Sequence, residues 1–481
     1  MRSTRPLILA IALPVTLAAC VAGPPPEIAT PTPLLPEQYF YSPDAATDAG
    51  LAELLPMSDP AYTDLVTVAL QQSPTLAEAL ARVEAARAGA SRSGAERLPN
   101  LSVEGAVTGT RINPNQFGDG AAQGGFIDTE QVSYGSNLVA SWDTDLFGRL
   151  KAQERAALAR VDAASASAAA IRIALMSEIA GSVIDWRVLE QRTNALEADV
   201  RAAEQLAQLA RTRENAGIAP GFDRVRAEAA ASASRSRLAS LSSERVRLVG
   251  RLVTLTGQSA AKVTGALRQT GSTLTPADAP SSLPSELLAN RPDVVAAAAS
   301  LAATDAELAA TARARFPRLT LSAVIGLLAF DPEDFFDSDS AVGTLTAGIA
   351  GPLLDFGRIE AEIDLAAANK REAFEIYRGA VFQAFGDAEI AYGLISASDE
   401  EARLAVRERD ELERAASLAN DRFRAGLSSF LEVLEARRAA DASGERAAAA
   451  LGRAMRARIL LWQALGGDAS AGASGDESAA P

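Results

Sequence analysis

Residue types that could do chemistry are few in this chain of 481 residues. Histidine is absent, which removes imidazole acid-base catalysis, Ser-His triads and imidazole metal sites together. Four methionines without histidine make no soft-metal lining, and no glycine-rich phosphate loop opens a helix behind a buried strand. The single cysteine, Cys20, closes Leu17-Ala18-Ala19-Cys20 after a basic start (Arg2, Arg5) and an apolar run from Leu7 to Thr16. That is the pattern of a bacterial lipoprotein signal. Its thiol is therefore expected to carry diacylglycerol, with an N-acyl chain on the new amino terminus, and to be neither nucleophile nor disulfide partner. Val21 follows the cysteine where an Asp would retain the lipoprotein inside, so the periplasmic face of the outer membrane is favoured. What remains is carboxylates: Glu432 and Glu435 lie three apart on one helical face. By themselves they describe a solvated acidic face near the positive end of a helix dipole. No catalytic residue, metal site or cofactor beyond the lipid is expected, and the chain does not read as an enzyme.

Removing residues 1–19 takes away Arg2 and Arg5, so a formal charge of −15 becomes −17 in the mature chain. Nucleic acid is an unsuitable partner for that charge. No stretch of about 18 apolar residues is expected after the signal, so any membrane crossing must be made by strands.

The chain is a tandem duplication. Pro74 leads to Pro99 and Pro292 leads to Pro317, 25 residues later in each case. Beyond those blocks, adding 209 carries Gly148-Arg149 onto Gly357-Arg358, Ala216-Gly217 onto Ala425-Gly426, Arg237 onto Arg446 and Gly257 onto Gly466. A shared frame predicts matched helix lengths, each half reading helix, strand, loop, strand, long helix, turn, long helix. The expected layout is a signal peptide (1–19), a proline-rich lipid-anchored tether (20–72), a first repeat (73–265), a linker (266–285), a second repeat (286–466) and a disordered tail (467–481).

Strands are predicted at about 100–111, 131–143, 318–329 and 340–352, in two pairs. In the first, Leu101, Val103 and Val107 face one way and Ser102, Glu104, Thr108 and Thr110 the other, which suits lipid on one side and water on the other. An ordinary hairpin with its apolar face on a core shows the same alternation. Four strands cannot close a barrel, so strands that cross a membrane must be pooled from several copies. The helices from Gly148 to about Glu214 and from Gly357 to about Arg424 contain no proline. Each would extend roughly 100 Å, too long for a small globular core to enclose. Phe374, Tyr377, Val381, Phe385, Ala388, Tyr392 and Ile395 form a seam with coiled-coil spacing.

Together these pieces resemble the TolC-like outer-membrane efflux protein family, in its lipoprotein branch associated with resistance-nodulation-division (RND) pumps. The resemblance is carried by Leu283-Pro284-Ser285 with Leu287-Leu288, Arg291-Pro292-Asp293, Phe316-Pro317, Pro352-Leu353-Leu354-Asp355-Phe356-Gly357-Arg358 and Ala464-Leu465-Gly466-Gly467. In the first half, Trp142-Asp143 and Asp145-Leu146-Phe147-Gly148-Arg149 are equally typical. The chain departs from the pattern at Ala298, often Glu, and at Asp468, often Gly. The resemblance implies a mainly α fold with a membrane β-barrel portion: a homotrimer whose twelve pooled strands form one outer-membrane barrel, joined to a long periplasmic α-helical barrel. It further implies a passive conduit for small, drug-like compounds, meeting a periplasmic adaptor (membrane fusion) protein and an inner-membrane RND transporter.

The resemblance also places a periplasmic gate at the turns after Ala-Gly. Glu432 and Glu435 fall where the family puts pore carboxylates, so a threefold axis would gather six of them. Asp223 matches a latching carboxylate, but Ser428 stands where some relatives have the latching arginine, leaving Arg422 or Arg424 to substitute, or no latch. Gly217 and Gly426 are the expected turns for adaptor contact. Two rival readings share part of this pattern. A type I secretion conduit for polypeptides shares the architecture but usually lacks a lipid anchor, and a structural coiled-coil lipoprotein has no need of the strand pairs.

Overall fold

The computed structural model describes residues 27–43, 50–111, 130–271, 275–282 and 284–467. Cys20 with its signal, and the tail from 468, lie outside the described residues. Short turns aside, the elements are α1 (Pro60–Gln72), α2 (Pro74–Ala95), β1 (Asn100–Arg111), β2 (Glu130–Asp143), α3 (Arg149–Asn215), α4 (Gly221–Thr256), α5 (Ala260–Leu267), α6 (Pro292–Ala312), β3 (Arg318–Ala329), β4 (Ala341–Ala350), α7 (Arg358–Arg424) and α8 (Phe430–Ala464). The predicted register holds: α3 and α7 are each 67 residues long, and α4 and α8 are 36 and 35.

The chain forms two compact units, and each draws on both repeats. One comprises, among the described residues, 27–31, 84–111, 130–162 and 298–375. Its four strands make one antiparallel sheet in the order β1-β2-β3-β4. Register puts Leu101, Ala140, Ala323 and Leu345 in one row and Val103, Leu138, Ile325 and Gly343 in the next, all on the same face. The opposite face carries rows such as Ser141, Ser322 and Thr346. The apolar face is uncovered, with Val103 78%, Ile325 68% and Leu345 82% exposed, so it does not sit on a core of this protomer. Gly326 is required, because a Cβ there would lie 2.3 Å from the Ser136 carbonyl oxygen of β2.

Strand gives way to helix through two differently built turns. Asp145 adopts φ 49° and its carboxylate accepts from the Leu150 and Lys151 N–H groups at 2.8 Å, capping α3. In the second repeat Phe356 (φ 54°) and Gly357 (φ 86°) make the bend, and Asp355 accepts from the N–H groups of Gly357 and Ile359 at 3.2 and 2.9 Å. Phe147 stacks on Phe316 beside the first turn, centroids 4.8 Å apart.

The other unit comprises, among the described residues, 32–43, 50–83, 163–271, 275–282, 284–297 and 376–467. Its core joins Tyr62, Ile179, Val183, Leu252, Tyr392 and Trp462. Val381, Ala388, Tyr392 and Ile395 of the heptad-spaced seam are buried there, with Phe385 half-buried against them. Part of the segment expected as a tether belongs to this core. Tyr39, 3% exposed, stacks on Phe385 at 5.5 Å, Glu389 accepts from the Phe40 and Tyr41 N–H groups, and α1 buries Tyr62 and Leu65. Proline-rich composition hid this, since the anchoring aromatics find partners some 350 residues away. The expected linker is likewise tied down, with Leu267 fully buried and the Tyr392 hydroxyl donating to the Pro280 carbonyl at 2.9 Å.

A second expectation is corrected. Two helices, Arg149–Asn215 and Pro292–Arg315, do contain an 18-residue window apolar enough to cross a bilayer by length and composition. In the first, 61% of that window is buried inside the protein, which is core packing. In the second the figure is 22%, and alanine supplies most of its apolar character.

The most completely buried ion pair closes this core. Arg187, 6% exposed, donates to Asp59 at 2.7 and 3.0 Å, to the Leu267 and Gln269 carbonyls at 3.0 and 2.9 Å, and to Glu190 at 2.8 Å. Asp59 also caps α1 by accepting from the Ala61 N–H at 2.9 Å. Asp59→Ala therefore removes a cap and strands a buried guanidinium. We expect a loss of about 3–5 kcal/mol, read as a lowered denaturation midpoint of the purified protein.

Candidate functional site

The turns that join α3 to α4 and α7 to α8 are built alike. The Gly217 N–H bonds to the Glu214 carbonyl and the Ile218 N–H to that of Arg213, at 2.8 and 2.9 Å. The Gly426 and Leu427 N–H groups bond to Phe423 and Arg422 in the same way, at 3.0 and 2.8 Å. This is the Schellman pattern, which needs a left-handed residue after the helix. Gly217 (φ 69°) and Gly426 (φ 76°) supply it. Each turn then leaves apolar side chains in solvent at matched positions: Ile218 and Leu427 are 68% and 70% exposed, and Phe222 and Leu431 follow four residues later.

The following helices begin differently. α4 starts behind Pro220, without a side-chain cap. α8 starts at Ser429, whose hydroxyl oxygen accepts from the Glu432 N–H at 3.3 Å and whose hydroxyl donates to the Glu432 carboxylate at 3.2 Å. Glu432 thus belongs to a capping pair of Ser-x-x-Glu type. Both it and Glu435 are exposed, one turn apart on α8.

Behind the turns, Phe423 and Phe430 pack edge to face at 5.9 Å with Val433, Leu434, Ala227 and Ala230. Arg213 lies over the Phe423 ring, 4.9 Å from its centroid. The first hairpin is also stapled by ions, since Arg224 reaches Glu214 at 2.6 Å and Glu228 at 2.8 Å. A hydrogen bond from Arg211 holds the Glu228 carboxyl below its usual range. Val433, the counterpart of Arg224, is buried instead, so the second hairpin has an apolar contact where the first has an ion pair.

Of the residues singled out by sequence, Gly217, Gly426 and Glu432 have defined local roles. The structure does not join Asp223 to Arg422 or Arg424: among the described residues no ion pair links them within a protomer. Sequence reasoning missed a second carboxylate group nearby. Asp199 of α3, 2% exposed, lies against Asp441 of α8, with Arg237 of α4 at 3.2 Å and Arg437 of α8 between them, 3.6 Å from Asp199 and 3.2 Å from Asp441. The only signal for it was an acidic residue at a position of each helix that the neighbouring helices enclose.

Comparison with known proteins bears on what these elements serve. A family model described as outer membrane efflux protein matches residues 65–258 and 283–467. The pyoverdine export outer membrane protein OpmQ of Pseudomonas aeruginosa is 30% identical, over 91% of this chain and 93% of its own. The solvent efflux pump outer membrane protein SrpC of Pseudomonas putida is 27% identical, over 85% and 86%. Among solved structures, a membrane protein from Pseudomonas aeruginosa superposes with a TM-score of 0.83 at 24% identity, covering 92% of this chain and 100% of that one.

The cap on α8 makes a local prediction. Ser429→Ala removes both halves of the exchange with Glu432 and should cost about 1 kcal/mol at this helix start. Hydrogen exchange of the first α8 amides should accelerate roughly fivefold by the same figure, with the α4 start unchanged.

Proposed function

The chain belongs to the outer membrane efflux protein family, and on that premise we propose that three copies form a passive, lipid-anchored conduit for small amphipathic compounds. The observation that carries this reading is the sheet. Among the described residues it has open edges at β1 and β4, an apolar face left exposed and a polar face behind it. Strands of 12, 14, 12 and 10 residues are long enough to cross a bilayer, which needs about 9–11 when tilted. Pairing β4 of one copy with β1 of the next satisfies every edge and closes a barrel from the pooled strands.

A second feature supports self-association. On α7, Leu365, Ile376, Ile390, Leu404 and Leu418 are exposed and recur at intervals of 11 or 14 residues, one stripe along the helix. A neighbouring copy is its natural cover. The helices then wall a periplasmic channel, the strands line the membrane passage, and Cys20 carries the lipid. Ile218, Phe222, Leu427 and Leu431 offer a periplasmic adaptor protein paired apolar contacts at the turns, and through it an inner-membrane pump of the RND class. Glu432 and Glu435 from three copies constrict the pore with carboxylates, and Asp223, with Arg422 or Arg424, is the candidate latch between copies, since no ion pair joins them in the protomer among the described residues. The relatives' names, pyoverdine export and solvent efflux, point to small organic cargo.

Single-channel conductance in planar bilayers tests the gate. Wild type should give small, cation-selective openings, and Glu432→Ala with Glu435→Ala should enlarge them and lose selectivity. No conductance from a folded trimer at any voltage would sink the channel reading. The sheet faces are tested by one charge on either side. Val103→Arg should destabilise the barrel by about 2–4 kcal/mol if it lies near the bilayer midplane, whereas Ser102→Arg, one residue away on the polar face, should leave trimer heat-resistance close to wild type.

A further inference from the structure

The carboxyl groups of Asp199 and Asp441 meet where α3 and α4 pack on α8, about 20–30 Å behind the turns at 1.5 Å of helix rise per residue. Side-chain exposure is 3% for Asp199 and 10% for Asp441. Two carboxylates this close and this dry cannot both be ionised without large repulsion. The charged groups acting on them are few. Arg237 comes from α4 and is shared with Ser234 and, at 3.9 Å, with Glu445 of α8. Arg437 comes from α8 itself, and its Nε sits beside both acids without well-aligned hydrogen-bond geometry to either. α7 packs on α8 through Glu408 and Arg446, which hold each other at 2.6 Å, and among the described residues it sends no charge to the pair. Beside the acids a cavity of about 330 Å³, lined by Leu206, Ala227, Phe430 and Leu434 and by Arg237, Arg437 and Arg438, separates the helices, so water can reach the pair and the helices have room to shift.

We propose that Asp199 and Asp441 are a proton-operated latch between the two helical hairpins, closed while they share one proton and loosened when it leaves. Burial, then the hydrogen bond and charge of Asp199, push Asp441 up to about 8. Asp199 is opposed by burial but held below the usual range by hydrogen bonds from Asp441 and Ser234 and by Arg237 and Arg437. The sign follows. The packed state keeps a proton that an opened, hydrated Asp441 would release near pH 4, so this contribution to packing weakens as pH rises from about 4 towards 8, whereas the stabilisation from the depressed Asp199 is lost only in stronger acid. The latch is a packing property; its effect on conduction rests on the channel reading above.

The test measures protection of the Phe430–Asp441 amides by hydrogen exchange in the full-length trimer, corrected for intrinsic rates, alongside bilayer conductance. In wild type, protection should fall by up to tenfold per pH unit between about pH 5 and about 8 and then level off. Asp441→Asn, which imitates the protonated acid, should flatten the profile. Asp199→Asn, which removes the neighbouring charge, should end the fall at lower pH. A flat wild-type profile, or an Asp441→Asn protein with the wild-type slope, overturns the latch. If protection switches while no conductance appears at any pH, the latch stands and the channel reading fails.

Discussion

Unpaired backbone on the two sheet edges is the constraint on which the rest depends. β1 and β4 each leave one row of N–H and C=O groups open, and the face between them is too apolar to leave in water. In hydrocarbon each unsatisfied group costs several kcal/mol, so an open sheet is excluded there. Only closure by further copies reconciles an apolar outer face with satisfied edges. Once that is granted, the protomer has no need of an enclosing core around its strands. Glycine at 326, where a side chain would strike the neighbouring strand, shows the sheet closely packed edge to edge even without such a core.

The helices answer a different demand. A segment of 67 residues cannot be buried along its length by one chain, and α7 leaves a regular stripe of large apolar side chains open. Duplication gives the protomer two such walls of equal length, and equal length keeps both hairpin turns in step. The repeats have nevertheless diverged wherever local chemistry closes a turn. Asp145 caps α3 from four residues ahead of Arg149, while Asp355 caps α7 from three ahead of Arg358. Arg224 staples one hairpin where the other buries Val433.

Local signals carried most of the fold in the sequence. Period-two alternation placed the strands to within one or two residues, the absence of proline set the long helices, and the spacing from Val381 to Ile395 marked a seam that is buried. What escaped was non-local. Asp59 meets Arg187 across 128 residues and Arg291 meets Asp387 across 96, and neither acid differs in type or spacing from a solvated one. Tyr39 lay in a proline-rich stretch whose composition reads as a tether, though its ring fills a core. The candidate gate was legible only as far as its turns. Gly217 and Gly426 announce themselves, whereas the pairing of Asp199 with Asp441 arises from how α8 lies on α3, which no local pattern records.

Core quality along the helices explains how such a protein can move at one place and hold elsewhere. The main core is packed with Trp462, Tyr62, Tyr392 and large aliphatics that are almost fully buried, and is locked by Arg187. Around the turns the buried set is small, with Ala210, Ala227 and Ala230 beside Phe423, Phe430, Val433 and Leu434 among the described residues, and a cavity of about 330 Å³ lies beside the acids. Alanine contacts contribute little per residue and leave helices close but weakly held. Local opening therefore costs least at the turns, because free energies of sub-global opening follow buried apolar contact. A proton between two carboxyls is a small perturbation against the main core. Against this thinner packing it weighs more, which is why a charge placed there can act as a switch when the same charge near Trp462 would only destabilise.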